Sequence, residues 1–170
     1  MTRAPGIYAW YFDELPPGVD PRPCHVVGDS VLLYIGIAPK EPPRNGGRPS
    51  TQTRRDRIRY HYRGNAYGST LRLTLGCHLA ETLGIALRRV GSGTRLTFTP
   101  DGERQISDWM QRHARVTWAQ VEAPWCAETR AMEQLSLPLN LQGNAHHPYY
   151  PTLKALRAEH RTAARALPIA

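Results

Sequence analysis

The sequence has few cysteines, and none of them are close together. Cys24, Cys77 and Cys126 are odd in number and widely spaced, and no Cys-x-x-Cys pair occurs. A disulfide framework or a structural zinc site needs several cysteines in a regular pattern, so neither is supported. We therefore expect the three cysteines to be small core residues.

Long apolar runs are also missing. No stretch approaches the roughly 20 apolar residues that a membrane span requires. The N-terminus lacks the charged start, apolar centre and small-residue cleavage site of a secretory signal. These absences predict a cytoplasmic location and no membrane contact. The 170 residues, with a hydrophobic content of 41%, suit a single domain with one substantial core.

Lysine is scarce, whereas arginine is abundant, and the formal net charge is +8. Arginine binds phosphate groups through a planar fork of N–H donors, so this balance favours a nucleic-acid partner. A basic composition also occurs in proteins without that role, and arginine in place of lysine often reflects GC-rich coding. Charge alone therefore leaves open a non-catalytic interaction protein whose basic charge is incidental.

Several short apolar segments bounded by turn formers are predicted to be β-strands. The two clearest are residues 6–12 and 31–37, and residues 116–121 form a third. Residues 24–27 are consistent with a short extra strand, and residues 88–98 with a hairpin around a Gly-Ser-Gly turn. Helical patterns separate these strands along the chain.

Helical spacing and capping residues predict five helices. The first begins after an N-cap at Ser50 or Thr51, and the second ends at Gly84. An alternation of leucine with polar residues at 71–75 competes with the helix there, because it is also typical of a strand. The predicted helices span about 51–62, 70–83, 99–113, 124–135 and 151–166.

Each of the two clearest strands carries a tyrosine beside a glycine. The first contains Gly6-Ile7-Tyr8 and the second contains Tyr34-Ile35-Gly36. The residues alone allow two interpretations, either a pair of phenols presented at one small sheet or two core strands with ordinary aromatics. In their letters, order and position, the two triplets match the signature elements of the GIY-YIG nuclease family, which the chain resembles over residues 5–141.

The resemblance implies an α+β fold, in which a small, mainly antiparallel sheet is flanked by helices, and a site that hydrolyses phosphodiester bonds. It also implies a domain at 1–141, with insertions at about 13–30 and 64–98, followed by a turn and helix at 142–170. That C-terminal part is expected to pack on the domain or to extend from it.

Further positions of the family can be matched to this chain. Arg57 corresponds to the catalytic arginine, and His61 completes an Arg-x-x-x-His arrangement that looks like the restriction-endonuclease branch. Glu128 corresponds to the metal-binding glutamate and Asn140 to the asparagine about a dozen residues later. Asn140 is expected to have a structural role beside the site.

The residues support the assignment of Glu128 independently. Helical offsets place Glu128 on one stripe with Trp125, Met132 and Leu135. A carboxylate in an apolar stripe needs a partner, because burying an unpaired charge is costly. That partner is either a divalent cation, for which Mg²⁺ or Mn²⁺ is the expected cofactor, or an arginine. Other carboxylates, Glu122 and Glu81, are fallback ligands.

The family scheme gives roles to the tyrosines. Tyr8 is the expected general base for an attacking water, and Tyr34 is expected to position the phosphate or the nucleophile. A free phenol has a pKa of about 10, so Tyr8 needs help to lose its proton. His61, whose ordinary pKa lies near neutrality, is either the base itself or the residue that orients Tyr8.

The first predicted helix carries a basic face, for which we consider two interpretations. One is a surface that binds nucleic acid; the other is an ordinary solvated face. The predicted partner is DNA, with RNA not excluded, and a homodimer on DNA is possible. A catalytically inactive binding module on the same scaffold is the alternative function. The predicted nucleic-acid-binding residues are Arg54, Arg55, Arg59 and Arg63.

Overall fold

The computed structural model describes residues 4–43, 47–48 and 50–170. The strands are β1 (Gly6–Phe12), β2 (Val26–Val27), β3 (Ser30–Ala38), β4 (Arg88–Val90), β5 (Arg95–Thr97) and β6 (Ala114–Gln120). The helices are α1 (Arg54–Arg63), α2 (Thr70–His78), α3 (Ala80–Leu83), α4 (Thr99–His113), α5 (Pro124–Gln134) and α6 (Tyr150–Ala166).

Four strands form an antiparallel sheet in the order β2-β3-β1-β6, and β4 and β5 form a separate hairpin. The predicted α+β class is therefore confirmed, with the two triplet strands as neighbours at the centre. Side chains of β1 alternate between the faces of the sheet, as expected for a strand. Tyr8, Trp10 and Phe12 join the main core, while Ile7 and Ala9 pack in a smaller cluster with Met132 of α5 and its neighbours.

The register of β1 and β3 explains the glycines of the triplets. Tyr8 pairs with Gly36, and Trp10 pairs with Tyr34, so both tyrosines lie on the same face. A Cβ atom at Gly36 would lie 2.4 Å from Tyr8 Oη, and one at Gly6 would lie 2.2 Å from the carbonyl oxygen of Ala119. Each glycine therefore makes room for a close approach that a side chain would block.

The helix boundaries differ from the predictions at two points. Helix α1 begins later, because Thr53 is its N-cap and forms a reciprocal capping box with Asp56. The segment at 70–83 is helical rather than a strand, and it divides after His78 into α2 and α3. The predicted stop at Gly84 is confirmed by its left-handed backbone, with φ of 61°.

A buried ion pair joins α2 to α4. Arg72 is 0% exposed, and its Nε and Nη2 donate to Glu103 Oε2 at 2.9 and 2.8 Å. Its Nη1 donates to the carbonyl oxygens of His61 and Tyr62, each at 3.1 Å. The second carboxylate oxygen of Glu103 accepts from the backbone N–H of Ala66 at 2.8 Å. This network fixes the end of α1, which carries His61, against the helices behind it.

Helix α6 packs against α2 and contacts β4. Cys24 and Cys77 are buried as expected, but Cys126 is exposed, since it lies on the outer side of α5. In the residues that the structure describes, no helix has the length and apolarity needed to cross a membrane. The division of the chain at residue 141 stays a prediction.

Candidate active site

A cavity of about 920 Å³ opens beside the two triplets. Strands β1 and β3, helices α1, α5 and α6, and the loops after β3 and α5 all contribute to its wall. The wall contains five of the six predicted catalytic residues, namely Tyr8, Tyr34, Arg57, Glu128 and Asn140. The sixth, His61, lies directly behind Tyr8. The fold therefore brings together residues that are up to 132 positions apart in the sequence.

Tyr8 begins a buried chain of hydrogen bonds. Its hydroxyl lies 2.8 Å from Nε2 of His61, whose Nδ1 lies 2.7 Å from Oγ of Ser69. His61 and Ser69 are both 0% exposed. Ser69 is also the N-cap of α2, where it accepts from the backbone N–H of Arg72 at 3.1 Å. The imidazole is therefore held at both ring nitrogens, and its Nε2 is directed at the phenol.

Burial determines the charge of the hydrogen-bonded side chains Tyr8 and His61. Burial, followed by the positive charges of Arg57 and Arg72, lowers the pKa of His61 well below its usual value. Burial and then Tyr34 raise the pKa of Tyr8, while Arg57 acts in the opposite direction. The resting state is thus a neutral imidazole beside a neutral phenol. His61 has no solvent access, and Tyr8 lies between it and the cavity. This arrangement favours a role for His61 in orienting Tyr8.

Tyr34 and Arg57 are anchored by the turn and helix that follow α1. The hydroxyl of Tyr34 lies 3.2 Å from Oγ1 of Thr70, the first residue of α2. Arg57 Nη1 donates to the carbonyl oxygen of Gly68 at 2.7 Å. Burial raises the pKa of Tyr34, so this phenol is also neutral and can donate a hydrogen bond. One anchored nitrogen fixes the Arg57 guanidinium and leaves other donors for a ligand.

Glu128 lies on α5 and lines the same cavity. It is half-buried, and burial raises the pKa of its carboxyl, while the nearby Lys40 lowers it. Within the described part of the chain, Glu128 makes no hydrogen bond and no ion pair. The arginine partner considered from the sequence is therefore not seen among those residues, and the carboxylate stays available in a polar cavity.

This donor set fits one divalent cation that keeps most of its water. Mg²⁺ and Mn²⁺ prefer oxygen ligands, and Mg²⁺ usually keeps several waters beside one or two carboxylates. Among residues 4–43, 47–48 and 50–170, no group of three or more His, Cys, Asp and Glu residues could enclose a metal ion. Glu128 would therefore hold the ion as the protein carboxylate, with water filling the other positions.

Asn140 connects the segment after α5 to the second triplet. Its Oδ1 accepts from the backbone N–H of Ile35, and its Nδ2 donates to the carbonyl oxygen of the same residue, both at 2.9 Å. Asn140 is buried, and its amide is satisfied at both ends. These bonds fix the strand between Tyr34 and Gly36, which agrees with a structural role beside the site.

The predicted nucleic-acid-binding arginines divide into two groups. Arg55, Arg59 and Arg63 are exposed and recur every fourth residue, so they form one basic stripe along α1. Arg54 does not belong to it, because it is 0% exposed. Its Nη1 donates to the carbonyl oxygen of Ala119 at 3.3 Å, and its guanidinium lies 4.0 Å from the ring centre of Trp118.

The prediction that Arg54 binds nucleic acid is therefore wrong, because its side chain is buried. Arg54, Ile58 and His61 share the face of α1 that packs onto the sheet. The predicted basic face of this helix did not distinguish the buried Arg54 from the exposed arginines. Arg54 instead fixes α1 to β6 and to the chain before β1.

Several residues of the wall were not identified from the sequence, among them two basic ones and a tyrosine. Lys40 follows β3, and Tyr150 and Arg157 come from α6. A signal for Arg157 exists, since it is spaced four residues from the buried Leu153 on the inner face of α6. The reasoning that singled out Glu128, a charge within an apolar stripe, also applies to Arg157.

Comparison with known proteins agrees with this geometry. The family model described as the GIY-YIG catalytic domain matches residues 6–159, which includes both triplets and most of α6. Searches of curated proteins and of solved structures found no match. The family match supports a nuclease-type function with nucleic acid as the substrate. The chain therefore belongs to the GIY-YIG catalytic domain family.

Proposed function

We propose that this protein is a metal-dependent endonuclease that hydrolyses phosphodiester bonds in DNA. The observation that carries the proposal is that one cavity holds Tyr8, Arg57 and Glu128, and that Glu128 is not paired with any residue of the described chain. A phenol, a guanidinium and a carboxylate can respectively move a proton, stabilise phosphate charge and hold a cation. A restriction or defence role in the cytoplasm is the finer proposal. It is supported by the Arg57 and His61 pair, one helical turn apart.

Arg57 is placed to stabilise the phosphate that reacts. Negative charge accumulates on the phosphoryl oxygens in the transition state, and preorganised donors in a cavity stabilise such charge strongly. The bond to Gly68 holds the guanidinium before substrate arrives, so little reorganisation is needed. When a divalent cation is bound at Glu128, it would supply Lewis-acid stabilisation of the phosphate and of the leaving oxygen.

Tyr8 is placed to accept the proton of the attacking water. It must first be a phenolate, and burial opposes that state by raising the pKa of the phenol. The charge of Arg57 lowers the same pKa and so favours the phenolate. In the tautomer with a proton on Nε2, His61 donates to the phenolate oxygen, while Ser69 donates to Nδ1. Tyr34 would position the phosphate or the water.

The test is cleavage of supercoiled plasmid by purified protein, with and without Mg²⁺. We expect Mg²⁺-dependent products from the wild type, and a loss of at least about 100-fold in Glu128→Gln, because stabilisation of several kcal/mol is removed. Glu122→Gln is the matched control, since Glu122 is exposed, lies six residues earlier and is not part of the cavity wall. It should cut like the wild type.

The outcomes separate the alternatives. Undiminished cutting by Glu128→Gln would contradict the assigned site. Salt-sensitive binding of DNA without any cleavage would instead favour an inactive binding module on this scaffold. The same assay with RNA tests the substrate class. The first product shows whether one strand or both are cut, since cutting both needs two sites or two sequential nicks.

A further inference from the structure

The C-terminal helix brings a second arginine into the active-site wall. Arg157 lies on the inner face of α6, and Tyr150 from the first turn of α6 lines the same cavity. The two residues are seven positions apart, which is close to two helical turns, so they lie along one side of the helix. Helix α6 is held in place by packing on α2, whose first residue contacts Tyr34.

The guanidinium of Arg157 is buried, and no residue that the structure describes pairs with it. The residue is only 6% exposed, and its Nε is buried with no hydrogen bond. In the described part of the chain, Arg157 makes no ion pair and no hydrogen bond at its other nitrogens. Burial, followed by the neighbouring Arg161, lowers the pKa of Arg157, but a guanidinium stays charged in proteins.

A buried cation without an anion is unfavourable, because lost hydration is not replaced. An anion that enters the cavity would remove this penalty and satisfy the free donors. Arg157 also shares its electrostatic environment with the reactive groups, since its positive charge lowers the pKa of Tyr34. The cavity volume of about 920 Å³ exceeds the space that one phosphate group needs.

We propose that Arg157, with Tyr150, forms a second phosphate-binding subsite that holds a phosphate of the nucleic-acid backbone next to the one that reacts. This inference rests on the proposed function, in which Arg57 binds the reacting phosphate. The guanidinium of Arg157 binds the phosphate oxygens, and the hydroxyl of Tyr150 donates to the same group. Two cations from separate helices then fix the direction of the strand across Tyr8.

The test measures binding separately from cleavage. Each variant is made in a Glu128→Gln background, and affinity for a short DNA duplex of mixed sequence is measured by fluorescence anisotropy without divalent cations, over a range of salt concentrations. We expect Arg157→Met to bind about tenfold more weakly, with a log–log salt slope reduced by about 1, because one phosphate contact is lost. Arg157→Lys should keep most of the slope, since it keeps the charge.

The matched control is Arg165→Met. Arg165 is exposed on the same helix, about 12 Å further along its axis, and is not part of the cavity wall. It should leave affinity and salt slope unchanged. Thermal unfolding of each variant shows whether it is folded, and Arg157→Gln replaces Arg157→Met if the methionine variant is not.

Each outcome decides the inference. A folded Arg157 variant that binds DNA with the affinity and slope of its background would overturn the second subsite and leave the proposed function intact. Equal losses in the Arg157 and Arg165 variants would overturn it as well, because the contribution would then be general surface charge. Failure of every protein, including the background, to bind DNA would overturn both proposals.

Discussion

Arg72 and Arg157 are both buried arginines on helices that pack against each other, yet their environments differ completely. Arg72 donates from Nε, Nη1 and Nη2 to Glu103 and to backbone carbonyl oxygens. Arg157 donates to no residue in the described part of the chain. A buried cation that is fully hydrogen-bonded is part of the scaffold, whereas one that faces a cavity without partners is available to a ligand.

The same contrast between satisfied and unsatisfied polar groups is found on the two sides of the helical turn that carries Arg57 and His61. Behind the turn, the Arg72–Glu103 network satisfies the polar groups that it contains. In front of the turn, the cavity presents Glu128, which has no hydrogen-bond or ion-pair partner among residues 4–43, 47–48 and 50–170. The unsatisfied polar groups, which lower the stability of the fold, therefore lie where substrate and cation are expected to bind.

The largest expected effect is a difference in stability between the variants of Arg72 and Arg157. Arg72→Met should lower the free energy of unfolding by about 3–5 kcal/mol, because it leaves the Glu103 carboxylate buried without its partner. Arg157→Met should change it by less than about 1 kcal/mol or raise it, since no bond to a described residue is lost and a desolvated charge is removed. Urea denaturation of both variants measures the difference.

The control for this comparison is the double variant Arg72→Met with Glu103→Leu. Removal of both charges should recover part of the stability that the single variant loses, since no uncompensated carboxylate remains. Similar losses from Arg72→Met and Arg157→Met would break the distinction between a scaffold arginine and a ligand-binding arginine.

A smaller effect is expected in the pH dependence of stability. The folded protein holds His61 neutral, with its pKa well below the usual value, while the unfolded chain protonates it near pH 6.5. Below that pH the unfolded state binds a proton that the folded state does not, so stability falls as pH falls. His78 and His147, whose pKa values burial also lowers, contribute with the same sign.

The variant His61→Gln isolates the contribution of this residue. Below about pH 6.5 its free energy of unfolding should fall less steeply than that of the wild type, by up to about 1.4 kcal/mol per pH unit. Above that pH the two slopes should agree. Urea denaturation at a series of pH values measures both curves, and parallel curves through the acidic range would show that His61 is not held neutral by burial.

Much of the fold and part of the candidate site could be predicted from local sequence patterns. Short apolar segments bounded by turn residues placed the strands, and helical spacing placed Glu128 among apolar neighbours. The triplet glycines have a physical reason in the register, because Gly36 lies under the ring of Tyr8. Such features depend on residues that are near in sequence or on a match between two strands.

Other features depend on tertiary packing and were not predictable in this way. The spacing of Arg54, Ile58 and His61 showed a shared face of α1, but only packing on the sheet made that face the buried one. The contact of Arg157 with the cavity depends on where α6 lies against α2. Serine is a preferred N-cap residue, and Ser69 caps α2, but its bond to His61 depends on where α1 lies against α2.

The central claim is that this cavity, rather than the basic surface, performs the chemistry. The most direct test compares Mg²⁺-dependent plasmid cleavage by Arg57→Ala and Arg59→Ala, two arginines of the same helix. Arg57 lies in the cavity wall, whereas Arg59 belongs to the exposed stripe. We predict a loss of about 100-fold to 1,000-fold in the cleavage rate for Arg57→Ala, and a loss below about threefold for Arg59→Ala. Equal rates for the two variants would contradict the account.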